Sequence, residues 1–121
     1  MAFSLTKEQL DIRKAAQEFA EGEFRGVARD LDARETFDDR LWKKAGQLGF
    51  LAVFLPETYG GAELGYLEQC LIVEEFARVD LGIAHAIEST FFGTQLLQLV
   101  GTEKQKEKYL PPICRAEMRM G

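Results

Sequence analysis

The stretch Ile83 to Val100, IAHAIESTFFGTQLLQLV, constrains the fold more than any other. Its apolar residues are Ile83, Ala84, Ala86, Ile87, Phe91, Phe92, Leu96, Leu97, Leu99 and Val100. At about 100° per residue they go round the whole circumference of a helix, with Leu97 opposite Glu88. A helix that is apolar on every side is a buried helix. At 1.5 Å per residue it is about 27 Å long, enough to cross a small domain. His85, Glu88, Gln95 and Gln98 interrupt it, which argues against a membrane span. The pattern therefore predicts a central helix wrapped by the rest of the chain, with one formal charge, Glu88, inside.

The wrapping has to come from a chain of 121 residues, of which 46% are hydrophobic and nine are Phe. That is enough for one core of ordinary size, so residues 1–121 read as one domain. The net charge of −5 gives no electrostatic footprint for nucleic acid or an anionic membrane. Cys70 and Cys114 are far apart and form no CxxC pair. Both read as free, reduced thiols in apolar helical surroundings, which fits a cytoplasmic protein. The opening MAFSLTKEQL has neither a basic n-region nor an apolar h-region, so no signal peptide is expected.

Local signals place helices along most of the chain. Thr6 with Gln9 forms a capping box, flanked by Leu5 and Leu10 as a hydrophobic staple. Ile12, Ala15, Ala16, Phe19 and Ala20 follow at helical spacing. Gly22 and Gly26 weaken the end of that helix. The charged run Glu23 to Arg34 reads as its kinked continuation. A second helix starts at Asp38 or Asp39, buries Leu41, Trp42, Ala45 and Leu48, and stops at Gly49 as a C′ glycine. Phe50 to Leu55, FLAVFL, is a continuous apolar run that fits a buried strand or an extended crossing of the core. Thr58 to Gly61, TYGG, is a loop. Tyr66 to Val79 is a helix with Leu67, Cys70, Leu71, Val73, Phe76 and Ala77 inward. Asp80 and Gly82 break it and cap the central helix, which ends at Gly101. Thr102 with Gln105 opens a last, basic helix, stopped by Pro111 and Pro112 with one more turn through Ile113 and Cys114. Met118 to Gly121 alternates as a strand does but has nothing to pair with, so the chain reads as cut where a β-region begins. The fold class expected is all-α, with about five or six helices around the central one.

Few residues can carry chemistry. One histidine excludes a bundle with two Glu-x-x-His motifs and a histidine-based zinc site. No P-loop or GxGxxG occurs, and no metal site and no catalytic residue are expected. Ser89 lies four residues after His85 on one helical face, but a helical serine ordinarily bonds a carbonyl one turn back. Glu88 shares its face with Ala84, His85, Phe91, Phe92, Gln95 and Leu99. A carboxylate there must be paired, protonated or facing a cavity. The candidate partners are His85 one turn away and an arginine from a neighbouring helix. The other outcome is a polar residue lining a ligand pocket.

Three spaced motifs carry a resemblance. PETYGG (Pro56 to Gly61), EEFARVD (Glu74 to Asp80) and GTEKQKEKYLPPICRAE (Gly101 to Glu117) resemble the N-terminal helical domain of acyl-CoA dehydrogenases. AIE (Ala86 to Glu88) is similar to the stretch of that family that reaches the acyl pocket. Ala116 departs from the pattern, since many members carry Gly before the Glu. The resemblance implies the first third of an FAD-dependent enzyme that oxidises the α,β C–C bond of an acyl-CoA to the 2-enoyl-CoA. The β-barrel domain, the second helical domain, most flavin contacts and the glutamate base then lie beyond Gly121. It implies that Ala84, Glu88, Ser89 and Phe92 line the far end of the acyl pocket. It also implies a homotetramer, and an electron acceptor such as an electron-transfer flavoprotein. Acyl-CoA oxidases and flavin monooxygenases of the same superfamily share this domain. The alternative from another class is a free-standing helical interaction module. A reading frame continuing past Gly121 into a TEP-x-AGSD-like segment separates the two. A chain ending here is expected to hold no FAD and to be sticky, because apolar surface meant for other domains is left bare.

Overall fold

The computed structural model describes residues 3–120 of the chain. Six α-helices account for the secondary structure, joined by turns and one short 3₁₀ turn at Glu57–Tyr59. They are α1 (Lys7–Glu23), α2 (Ala28–Ala33), α3 (Asp39–Gln47), α4 (Tyr66–Val79), α5 (Leu81–Val100) and α6 (Glu103–Cys114). No strand occurs among the described residues.

The capping residues act as the sequence dictates. Thr6 Oγ1 accepts from Gln9 N at 3.2 Å and Gln9 Oε1 accepts from Thr6 N at 3.0 Å. Thr102 and Gln105 repeat this reciprocal pair at the start of α6. Asp38 caps α3 through Arg40 N. Asp80 closes one helix and opens the next: its N–H donates to Phe76 O at 3.1 Å, and its Oδ1 accepts from Ile83 N at 2.8 Å. Gly49 sits at φ 84°, the left-handed conformation that ends α3.

The core is built on α4. Phe76 is fully buried and packs against Phe24 and Phe50 at ring-centroid distances of 5.2 Å, close to perpendicular in both pairs. Phe19 of α1 completes the group at 5.5 Å from Phe76. Edge-to-face pairs of this kind add roughly 0.5–1.5 kcal/mol each beyond the area they bury. Trp42 of α3 joins the same core and donates from Nε1 to Thr90 Oγ1 of α5 at 3.3 Å. Phe54, Leu55, Leu110 and Cys114 belong to a second, smaller core.

The run Phe50 to Leu55 is buried throughout, yet it is a series of turns and not a strand. Its carbonyls at Ala52, Val53 and Leu55 accept from Ala62, Leu64 and Glu63, so the loop after it satisfies its backbone. Of the two readings of this run, the strand is not formed and the crossing of the core is.

Several expectations are corrected, among them the burial of Leu48, which follows the last turn of α3 and is 60% exposed. The run after Glu23 does not continue α1: the chain turns at Phe24–Val27, and α2 is a separate short helix. Gly22 lies just before the break and Gly26 within it, and the backbone there makes both a tighter bond (Val27 N to Phe24 O) and a helical one (Ala28 N to Phe24 O). Pro111 and Pro112 do not stop α6, which runs through them to Cys114. The carbonyls they leave without a donor belong to Glu107 and Lys108, both exposed to water, while buried Leu110, Ile113 and Cys114 hold the last turn. Leu67 and Cys70 are exposed on α4, and Gln69 and Ile72 are buried in their place. Finally, α5 is not wrapped. Leu81, Phe92, Leu96, Leu99 and Val100 are exposed, because α3, α4 and α6 cover only part of its circumference. Met118 to Met120 has no strand structure, and Gly121 lies outside the described residues.

Candidate functional site

The open side of α5 meets the open side of α4 in a groove of about 550 Å³. From α4 it is lined by Tyr66, Gln69, Cys70, Val73, Glu74 and Ala77. Those positions recur at three- and four-residue spacing, which places them on one helical face. From α5 come Leu81, Ala84, His85, Glu88, Phe91 and Phe92, by the same rule. The lining is mainly apolar, and its aromatic end is held rigid from behind. Phe91 packs edge-on against Phe54 at 4.8 Å, and Tyr66 stacks on Phe54 at 5.5 Å.

Three of the four residues expected in a pocket are brought together here: Ala84, Glu88 and Phe92. Ser89, the fourth, is not among the lining residues. Its Oγ donates to Ala86 O at 3.2 Å, the local bond a helical serine ordinarily makes. His85 lies at the rim, exposed, with its ring 6.4 Å from that of Phe92.

Glu88 is the chemical centre of the groove. It is only 8% exposed. Its partner is neither His85 nor an arginine but Gln69, whose Nε2 donates to Glu88 Oε2. Oε1 has no hydrogen-bond partner among the described residues. Burial pushes the carboxyl up to about 8, and the Gln69 bond pulls weakly the other way. At neutral pH Glu88 is therefore mostly a neutral acid, a donor and an acceptor together. Gln69 was not singled out from the sequence. The only signal for it was a polar residue at a core-spaced position, one turn before Val73 and two before Ala77.

No three His, Cys, Asp or Glu side chains converge among the described residues. Among the described residues no helix is long and apolar enough to cross a membrane.

A helical domain with a cleft between two adjacent helices is a general solution, so the decisive observation is the match of whole sequences. The family described as acyl-CoA dehydrogenase, N-terminal domain, matches residues 6–117. The chain belongs to the acyl-CoA dehydrogenase family. It is 38% identical over 119 residues to the short-chain-specific acyl-CoA dehydrogenase of Clostridium acetobutylicum, covering 97% of this chain and 31% of that protein. The structure of butyryl-CoA dehydrogenase from Megasphaera elsdenii superposes with a TM-score of 0.91 at 31% identity, covering 98% of this chain and 32% of the other. An acyl-CoA dehydrogenase from Bacillus anthracis, solved in complex with FAD, gives a TM-score of 0.88 at 34% identity, over 96% of this chain and 20% of that one. The chain thus spans about three-tenths of the length of the curated relatives it matches.

Proposed function

We propose that this chain is the N-terminal helical domain of an FAD-dependent acyl-CoA dehydrogenase, and that the α4–α5 groove is the far part of its acyl pocket. The groove carries the reading: an apolar channel with aromatic walls whose one buried acid is neutral fits an alkyl chain and not a charged ligand. Its lining contains no arginine or lysine, so it does not fit the pyrophosphate of a flavin dinucleotide, which must be held by other residues of the whole protein. When bound, FAD supplies the hydride acceptor. What this chain's residues supply is depth and dryness: Val73, Ala84 and Phe92 contact the acyl tail, and Glu88 limits how far it reaches. The acceptor for the electrons is proposed to be a separate electron-transfer flavoprotein, and the whole protein an oligomer.

The test is a chain-length profile of kcat/KM in the whole flavoprotein, for the native protein and for Glu88→Ala at matched flavin content. Removing the carboxyl should favour longer chains over shorter ones, by about tenfold for each added methylene accommodated. Parallel profiles would refute the assignment of the groove.

A further inference from the structure

We infer that Glu88 and Gln69 make the inner part of the groove a hydrogen-bonding subsite, one that admits acyl chains bearing a neutral oxygen, a hydroxyl or carbonyl, at their distal end. This rests on the reading of the groove as an acyl pocket and says which tails it takes.

The geometry has three parts. Glu88 lines the groove and is more than nine-tenths buried, yet Oε1 is without a hydrogen-bond partner among the described residues. Gln69 holds the other oxygen, Oε2, from α4. The surrounding residues Val73, Ala84, Phe91 and Phe92 offer no polar side-chain atom to Oε1. With Gln69 Nε2 donating to Oε2, the proton of the neutral acid belongs on Oε1. An O–H in an apolar site is costly when unpaired, and a plain alkyl tail leaves it so. A tail ending in a hydroxyl or carbonyl oxygen accepts from it. Charged tails fit less well. A terminal carboxylate would put a second acid beside Glu88 where both cannot ionise. A terminal ammonium would have to be stripped of water in a channel whose only other acid, Glu74, is out in solvent.

The pair thus acts on specificity, and the test compares tails matched in length. In the whole flavoprotein, kcat/KM is measured for octanoyl-CoA and 7-hydroxyheptanoyl-CoA, in which the terminal methyl is replaced by hydroxyl, and for the neighbouring lengths of both series. A hydroxyl gives up water to enter, so the readout is the ratio of hydroxylated to plain substrate. Glu88→Leu should lower that ratio by about tenfold or more relative to the native protein, because the donor is gone. Glu88→Gln keeps a donor and should hold the ratio within about threefold of native. Glu88→Met replaces Leu should the branched side chain prevent folding, with melting temperature and flavin content checked for each variant. A ratio unchanged in the apolar variant, with the plain-chain profile shifted, overturns the subsite alone. A ratio and a plain-chain profile both unchanged overturn the acyl-pocket reading, and the subsite with it.

Discussion

Helix α4 has a closed side and an open one. On the closed side Ile72 and Phe76 are 1% and 0% exposed, shut in by α1 and the Phe50–Leu55 turns. On the other side Tyr66, Cys70 and Val73 face a groove that only α5 borders. The apolar character of the two sides is similar; the number of elements that meet there is not. Two helices in contact leave a cleft along their outer edges, and a third element is needed to fill it. The closed side has its third element in a loop, which sheds its polarity by giving its carbonyls to residues 62–64. The groove has none among the described residues. The one buried acid lies there, where a neutral carboxyl can meet a ligand.

The largest effect should come from opening the closed side. Phe76→Ala removes the ring that touches Phe19, Phe24 and Phe50, and should cost about 3–5 kcal/mol in a urea titration. Phe92 is 62% exposed, so Phe92→Ala should cost no more than about 0.5 kcal/mol. Equal losses for the two would erase the distinction between the sides.

The next effect belongs to the groove and depends on pH. Glu88 holds its proton more tightly folded, at about 8, than at its ordinary 4.5. The stability this contributes is complete below about 4.5 and is lost as pH rises through the interval to about 8, at up to about 1.4 kcal/mol per pH unit. Glu88→Gln is neutral at every pH. The difference in unfolding free energy between native and Glu88→Gln chains should therefore fall steadily from about pH 5 to about pH 8. Differencing removes the other titrating groups, which the two proteins share. A flat difference would mean that the carboxyl ionises freely and that the groove is wet.

Much of the fold is legible in the sequence because capping is local. Thr6 with Gln9 and Thr102 with Gln105 act over three residues, and nothing distant alters them. Exposure is different. Leu96 and Leu99 look as buried as Ile83 and Ile87, since whether a helical face is covered depends on elements far along the chain. The same holds at the site. Ala84, Glu88 and Phe92 are visible as one face of one helix, but Gln69 is 19 residues from Glu88 and no pattern links the two. Ser89 lies one residue past Glu88, about 100° round the helix, and is not among the residues that line the groove. Leu67 and Cys70 mislead because apolar character marks α4 on both its sides, one of them open. Pro111 and Pro112 are breakers by rule, and the rule yields where the freed carbonyls belong to exposed residues.

The smallest effect asks where one carbon can be added. A Cβ built on Gly46 of α3 would lie 2.3 Å from the Cβ of Ala116 and 3.0 Å from Leu51 Cδ1. The first contact is with an atom fixed to the backbone, which no rotamer change can move, so Gly46→Ala should cost about 1–3 kcal/mol. Ala116 itself holds φ at 55°, the left-handed region that favours glycine, and it stands where the acyl-CoA dehydrogenase pattern often has Gly. Removing its Cβ relieves both conditions. Gly46→Ala should accordingly be tolerated better in an Ala116→Gly background than alone, a coupling of about 1 kcal/mol or more in a double-mutant cycle. Gly22, on α1, is the contrast: nothing lies within 4 Å of a Cβ placed there, and Gly22→Ala should stabilise the helix by up to about 1 kcal/mol. Opposite signs at Gly46 and Gly22, with the Gly46 loss recovered by Ala116→Gly, would show that closure of the core is set by backbone approach. Additive effects in the cycle would instead place the tight contact at Leu51, whose side chain can move.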